Sequence, residues 1–246
     1  MPRTDSAYLP KPIRQAMLTL PAGVCGDAPW QGRLAALPPA RPGQPLPLLL
    51  FLHGSSGLNE QTLTFQRWAS DTLGIAALAL DSFARHKRPR YQSPAPVEQY
   101  EAVHALRQEE IAMMLAALPR LPWVDSQRLA LAGSSEGGVA AARWRGQEFA
   151  GRIIYGWSCE DNYFVEKADN GFDADCPLLN LLSDADPFFG RNSQYNRGRQ
   201  VDGDSRRALA DMPKARQVLL PNAPHTLYNL PEARMLTEEF LRELFA

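Results

Sequence analysis

Short, almost continuous apolar runs recur along the chain from residue 48 onward. Six of them stand out, at residues 48–52, 75–80, 129–132, 153–157, 178–182 and 218–220. Runs of this length that are apolar on both faces are typical of parallel strands covered by helices on either side. Each run therefore predicts a buried strand.

Most of the segments between these runs have the periodicity of helices. The clearest spans residues 97–118, and its apolar stripe consists of Tyr100, Val103, Leu106, Ile111, Met114 and Leu118. The last spans residues 231–245, where Pro231 suits a first helical turn. Strands and helices that alternate in this way predict an α/β fold with a doubly wound, mostly parallel sheet and helices on both faces. Ligand sites in such sheets lie beyond the carboxyl ends of the strands.

The pattern is weaker before residue 47. Residues 15–20 and 32–37 predict two short strands at one edge of the sheet, and the Pro-rich stretch 38–47 predicts a connection, because proline interrupts helices and central strands. A chain of 246 residues fits one large α/β domain. We therefore predict a single domain over residues 1–246, in which residues 1–46 supply the edge strands and the Pro-rich connection.

Composition narrows the possible partners and compartments. A net charge of −1 gives no electrostatic reason to expect nucleic acid or an anionic membrane as partner. The longest apolar run, residues 46–52, is far shorter than the ~20 residues of a membrane-spanning helix. The first residues lack the apolar stretch of a secretory signal. We expect a cytoplasmic protein, or a periplasmic or secreted one if a leader has been removed; the oligomeric state stays open.

The three cysteines carry no metal-binding pattern. Cys25, Cys159 and Cys176 form no CxxC pair and no Cys/His spacing typical of a metal site. We expect no metal, and we expect buried or half-buried thiols, with a Cys159–Cys176 disulfide as the alternative.

A candidate nucleophile follows the run at residues 129–132. The sequence there continues as Gly133-Ser-Ser-Glu-Gly-Gly and then as an Ala-rich segment suited to a helix, so Gly133, Ser135 and Gly137 form a GxSxG motif. A strand, a tight turn and a helix in this order hold the central serine in a strained conformation at the helix N-terminus. We predict Ser135 as the nucleophile. The alternative is a glycine-rich turn that only packs the helix against the sheet.

A base and an acid are available at two later strand ends. His225 lies in the loop between the run at 218–220 and the last helix, and it is the one histidine in such a late position. The chain order Ser, Asp or Glu, His places the acid between them. Asp184 and Asp186 both follow the run at 178–182. We predict Asp186 as the acid, with Asp184 as the alternative.

Backbone donors for a developing oxyanion are expected on either side of Ser135. One is the N–H of Glu136, the residue after the nucleophile. The other comes from the loop after residues 48–52, where Ser55 is the first choice and Ser56 the second. Each such donor is typically worth ~3–4 kcal/mol in the transition state.

Together these residues resemble the dienelactone hydrolase-like branch of the α/β-hydrolases. The resemblance covers residue 48 to the end and rests on five segments, which begin at His53 (HGSSG), Asp81 (DSF), Arg107 (RQEEI), Pro122 (PWVD) and Gly133 (GSSEGG). Dienelactone hydrolases proper carry a cysteine nucleophile, whereas this chain has Ser135. The resemblance therefore implies a carboxylesterase with a serine nucleophile, and it implies no cofactor.

We accordingly predict a serine hydrolase that cleaves small-molecule carboxylic esters through an acyl-enzyme. Acyl transfer or peptide cleavage with the same triad is one alternative, and a catalytically silent protein that binds a small ligand or a partner is another. Candidate substrate contacts are Arg85, which opens a basic loop suited to a carboxylate, and Trp157 and Tyr163, which suit an aromatic pocket. A solvated loop and core packing are the respective alternatives. The chain between the run at 153–157 and Asp186 has no insertion long enough to form a large helical lid. We therefore expect an open site.

Overall fold

The backbone of the computed structural model, which describes residues 9–40 and 43–246, is built around one eight-stranded sheet. The strands are β1 (Met17–Leu20), β2 (Trp30–Arg33), β3 (Leu46–Leu52), β4 (Ala76–Leu80), β5 (Val124–Ser134), β6 (Gly151–Tyr155), β7 (Leu178–Ser183) and β8 (Ala215–Leu220). Their order across the sheet is β2-β1-β4-β3-β5-β6-β7-β8. Strand β1 is antiparallel to both of its neighbours, and all pairs from β4 to β8 are parallel.

Five α-helices accompany the sheet in the described residues. They are α1 (Lys11–Arg14), α2 (Glu60–Leu73), α3 (Val97–Ala117), α4 (Glu136–Arg143) and α5 (Pro231–Phe245). Strand β3 shows how both faces are covered: Leu48, Leu50 and Leu52 pack in the cluster that includes residues of α3 and α4. Leu49 and Phe51 pack in the opposite cluster, with residues of α2 and α5. An apolar run on both faces of a strand is thus explained by helices on both sides.

The predicted α/β architecture is confirmed, since each of the six apolar runs overlaps one of β3 to β8. The first edge strand also lies within residues 15–20. The second prediction, residues 32–37, is displaced: β2 ends at Arg33, and Leu34–Ala36 form a 3-10 turn. The N–H of Leu34 donates to the carbonyl of Ala16, which is the last bond of the β1–β2 pairing. The chain then leaves the sheet because Leu34 is fully buried in the core and its carbonyl accepts from the N–H of Leu37, which closes the 3-10 turn. Residues 1–8 of the predicted domain and residues 41–42 of the Pro-rich connection lie outside the described residues.

The long connections at the carboxyl edge of the sheet carry little regular structure. Residues 156–177, between β6 and β7, contain no helix, and the connection between β7 and β8 contains one 3-10 turn at Gln194–Asn196. The predicted absence of a helical lid is therefore confirmed for this part of the chain. In the described ranges no helix is long and apolar enough to cross a membrane. All three cysteines are free thiols, so the alternative Cys159–Cys176 disulfide is not formed.

A buried histidine in α3 makes the stability of the fold depend on pH. His104 is 1% exposed, and its Nε2 lies 3.0 Å from the carbonyl oxygen of Phe164. Burial lowers the pKa of His104 to about 4, with a smaller contribution in the same direction from Arg143; the hydrogen bond to Phe164 and the charge of Glu101 oppose this shift. The ring is therefore neutral in the folded protein at neutral pH.

We predict that His104 makes the fold less stable as the pH falls. The unfolded chain has an ordinary histidine pKa of 6.5, so the contribution of neutral His104 is fully present above that pH and is lost as the pH falls toward 4. In the variant His104→Gln, whose amide can also donate to Phe164, this titration is absent. The unfolding free energy of the wild type should fall relative to the variant by up to roughly 1.4 kcal/mol per pH unit in this window. Urea unfolding of both proteins across the window measures the difference, and parallel pH curves would contradict the prediction.

Candidate active site

The backbone at Ser135 is strained and held in place. Ser135 lies between β5 and α4 with φ 55° and ψ −117°, a backbone conformation that residues other than glycine rarely adopt. Its N–H donates to the carbonyl of Tyr155 at 2.9 Å, and its own carbonyl accepts from the N–H of Val139 at 3.0 Å. These two hydrogen bonds fix the turn from both sides, so the serine side chain stands at the N-terminus of α4.

The two glycines of the GxSxG motif occupy positions with no room for a side chain. A Cβ on Gly133 would lie 2.0 Å from the carbonyl oxygen of Gly137. A Cβ on Gly137 would lie 2.0 Å from the carbonyl oxygen of Leu52, at the end of β3. Helix α4 can therefore cross the ends of β3 and β5 only because both positions are glycine.

His225 and Asp186 are joined by a short hydrogen bond. The distance from His225 Nδ1 to Asp186 Oδ2 is 2.7 Å. Asp186 is 3% exposed, and its Oδ1 accepts hydrogen bonds from the backbone N–H groups of Phe188 and Phe189, at 2.8 and 2.9 Å. The alternative acid, Asp184, is exposed and accepts from the N–H of Asn222 instead. The geometry thus pairs His225 with the predicted Asp186.

Ser135 and His225 line one cavity of about 260 Å³ at the carboxyl ends of the strands. Six aromatic side chains share its wall: Tyr91, Tyr163, Phe164, Phe188, Phe189 and Tyr228. Its remaining lining is made of glycines and neutral polar residues, among them Ser55, Ser56, Asn59 and Thr226. The volume lies just below the ~300–1,000 Å³ of typical small-molecule pockets, which suits a compact ligand.

The two backbone segments that carry the predicted oxyanion donors lie next to Ser135. The loop after β3 passes beside the serine, since a Cβ on Gly54 would lie 3.3 Å from Ser135 Cβ, and the next residue, Ser55, lines the cavity. Glu136 is the first residue of α4, so its N–H has no acceptor within the helix. The position of both backbone segments is compatible with the predicted role, which stays a prediction.

The side chain of Glu136 takes part in a buried ionic network that the sequence did not suggest. It is fully buried; its Oε1 lies 2.6 Å from Arg88 Nη2, and its Oε2 accepts from the hydroxyl of Tyr91 at 2.8 Å. Arg107 Nε lies 3.8 Å from Oε1, and Arg107 Nη2 donates to the carbonyl of His53 at 3.0 Å. The network therefore connects the loop after β4, helix α3 and the end of β3 beneath the cavity. The one signal in the sequence that could have indicated this network is that Arg107 and Glu136 both lie in segments that carry the family resemblance.

Two of the three candidate substrate contacts lie elsewhere. Arg85 does not line the cavity, because its guanidinium pairs with Glu109 of α3 at 2.6 Å. Trp157 is fully buried in the hydrophobic core beneath the cavity wall, in the same cluster as Phe164. The predictions for Arg85 and Trp157 are therefore corrected, whereas Tyr163 does line the cavity.

Several cavity residues were missed in the sequence. Phe188 and Phe189 directly follow Asp186-Pro187, and Tyr91 follows the basic loop. The one signal that could have identified them as cavity residues is their position after strand ends. Apolar side chains in such loops are equally typical of core packing, so the signal did not distinguish the two.

The sequence matches no family model and no curated protein, so similarity is found at the level of structure. A candidate dienelactone hydrolase from Klebsiella pneumoniae superposes with a TM-score of 0.59 and 16% identity, covering 93% of this chain and 98% of that one. A dienelactone hydrolase-like promiscuous phosphotriesterase from metagenomic libraries has a TM-score of 0.57 and 18% identity, covering 83% and 89%. A phospholipase/carboxylesterase from Dyadobacter fermentans has a TM-score of 0.53 and 19% identity, covering 80% and 90%. With this sheet and these similarities, the chain has the α/β-hydrolase fold.

The crossing at Gly137 yields a testable prediction. Gly137→Ala places a methyl group against the carbonyl of Leu52, so we expect it to lower the free energy of unfolding by roughly 1–3 kcal/mol or more. Gly43→Ala is the matched control, because nothing lies within 4 Å of a Cβ at that position. Urea unfolding of the two variants measures the difference. Equal stability of both variants would show that α4 does not need the close approach to β3.

Proposed function

We propose that the protein is a serine hydrolase that cleaves carboxylic esters through an acyl-enzyme. Ser135 is the nucleophile, His225 the general base and Asp186 the acid that orients it. The observation that carries this proposal is the 2.7 Å hydrogen bond between Asp186 and His225, at the wall of the cavity that also contains Ser135 on its strained turn.

The protonation of His225 follows from its partner. The carboxylate of Asp186 accepts a hydrogen bond, so Nδ1 of His225 carries the proton. This leaves Nε2 as the acceptor of the neutral ring, which is the state a general base needs in order to take the proton of Ser135. Asp186 then stabilises the imidazolium that forms, and its own orientation is fixed by the N–H groups of Phe188 and Phe189.

The reaction proceeds in two halves. Ser135 Oγ attacks the ester carbonyl while His225 takes its proton, and the oxyanion accepts hydrogen bonds from the N–H groups of Glu136 and Ser55. His225 then protonates the departing alcohol, which leaves an acyl group on Ser135. Water attacks this acyl-enzyme with His225 again as the base; His225 then gives the proton to the departing Ser135 Oγ, and the carboxylic acid is released.

The similar solved structures favour ester hydrolysis over acyl transfer, peptide cleavage or a silent binding role. Two of them are described as a candidate dienelactone hydrolase and a phospholipase/carboxylesterase. A place in the dienelactone hydrolase-like branch is supported by the family-like segments of the sequence. The serine at position 135 favours a general esterase over dienelactone hydrolysis, which uses a cysteine.

A burst experiment with an activated aryl acetate tests the proposal. The wild type should release about one equivalent of phenol in a burst and carry an acetyl group on Ser135, because acylation of an activated ester precedes slower hydrolysis. Ser135→Ala should give neither. Asp186→Asn should lower kcat by roughly 10³–10⁴-fold, because His225 loses the partner that fixes its tautomer.

Asp184→Asn is the matched control for Asp186→Asn. Asp184 is exposed and contacts the N–H of Asn222, away from His225, so its loss should leave kcat within about twofold of the wild type. Intact-mass analysis during turnover and phenol release are the measurements. An acetyl adduct on Ser135→Ala, or equal losses for the two aspartate variants, would contradict the assignment.

A further inference from the structure

The cavity at Ser135 is built without formal charge. None of the described residues that line it is aspartate, glutamate, lysine or arginine, and His225 is its one histidine. The three phenols in its wall, Tyr91, Tyr163 and Tyr228, stay protonated at neutral pH, because burial raises the pKa of each above its ordinary value of 10. The remaining polar groups are neutral hydroxyls, one amide and backbone.

Two arginines of the adjacent basic loop are already bound to carboxylates. Arg88 is 4% exposed and pairs with the buried Glu136, and Arg85 pairs with Glu109 of α3. A carboxylate brought into the cavity would therefore lose its water without gaining a lysine or arginine partner among the residues that line it. It would also approach the buried carboxylate of Asp186, which lies directly behind His225. Both effects disfavour an anionic ligand.

The wall is suited to a flat apolar group. Tyr163 stacks on Phe189 with ring centroids 5.9 Å apart, and Tyr91 meets Phe164 edge-on at 5.5 Å. Phe188 presents its ring to His225 at 4.7 Å. Rings that already pack in offset and edge-on arrangements can receive a further aromatic ring in the same way.

We infer that this cavity selects uncharged esters that carry a compact aromatic group and rejects esters that carry a carboxylate. This inference names the substrate class of the proposed esterase and rests on that proposal for the hydrolysis step. The selection itself depends only on the lining of the cavity.

Two aryl acetates of nearly equal shape test the charge preference. 4-Acetoxybenzamide is neutral, and 4-acetoxybenzoate replaces its amide by a carboxylate. After division by the hydroxide-catalysed rate of each ester, kcat/KM should be at least roughly 30-fold higher for the amide, because the anion is desolvated without a partner. Calorimetric titration of Ser135→Ala with the same esters should give a Kd ratio of the same direction and similar size.

The calorimetric titration of Ser135→Ala distinguishes a failure of the proposed ester hydrolysis from a failure of the proposed charge preference. If Ser135→Ala binds the amide more tightly and the wild type hydrolyses neither ester, the proposed function is wrong and the charge preference is supported. If Ser135→Ala binds both esters equally, or binds neither, the charge preference is overturned whatever the wild type hydrolyses.

A charge introduced at the cavity wall provides a gain-of-function test. Thr226 is half-buried and lines the cavity, so Thr226→Arg places a guanidinium there, and Thr226→Gln adds a long neutral side chain as the matched control. The arginine variant should reduce the preference for the amide at least about tenfold, since a guanidinium pairs with carboxylates in a bidentate manner. The glutamine variant should keep the preference. A preference that is the same in both variants would overturn the inference.

Discussion

The buried carboxylate of Glu136 is the constraint on which the site depends. A fully buried carboxylate is strongly unfavourable unless opposite charges and hydrogen bonds compensate it. Here Arg88 and Tyr91 bind its two oxygens at 2.6 and 2.8 Å, and Arg107 lies 3.8 Å away. Because these partners come from the loop after β4 and from α3, the first turn of α4 is held against two other parts of the fold.

The same network fixes the surroundings of Ser135 on both sides. Arg107 donates to the carbonyl of His53 at the end of β3, where the loop that approaches Ser135 begins. Glu136 follows Ser135 directly, so its buried side chain restrains the strained turn from the helix side. The network also occupies Arg88, so this guanidinium is paired with a carboxylate and does not line the cavity. One set of ion pairs thus bears on both the proposed catalytic turn and the proposed ligand preference.

The sequence predicted the parts of this account that depend on local patterns. Apolar runs such as residues 48–52 predict strands because burial on both faces leaves no polar positions. Ser135, Asp186 and His225 were predicted as the site because each follows such a run, and the structure brings Asp186 and His225 within hydrogen-bond distance. Pairwise contacts between distant charges were not predictable. Arg85 and Arg88 belong to one basic loop, yet Arg85 pairs with a glutamate of α3 while Arg88 is buried against Glu136. Trp157 was misplaced because an aromatic residue at a strand end has the same pattern whether it faces a cavity or the core.

The most direct test of the central claim is a crystal structure of the protein after reaction with an aryl phosphonate, whose tetrahedral phosphorus imitates the first intermediate. We expect a covalent bond between phosphorus and Ser135 Oγ. We also expect one phosphonyl oxygen at about 2.7–3.1 Å from the backbone nitrogens of Glu136 and Ser55. A phosphonyl oxygen directed to solvent, or phosphorus bound to any other residue, would contradict the proposed mechanism.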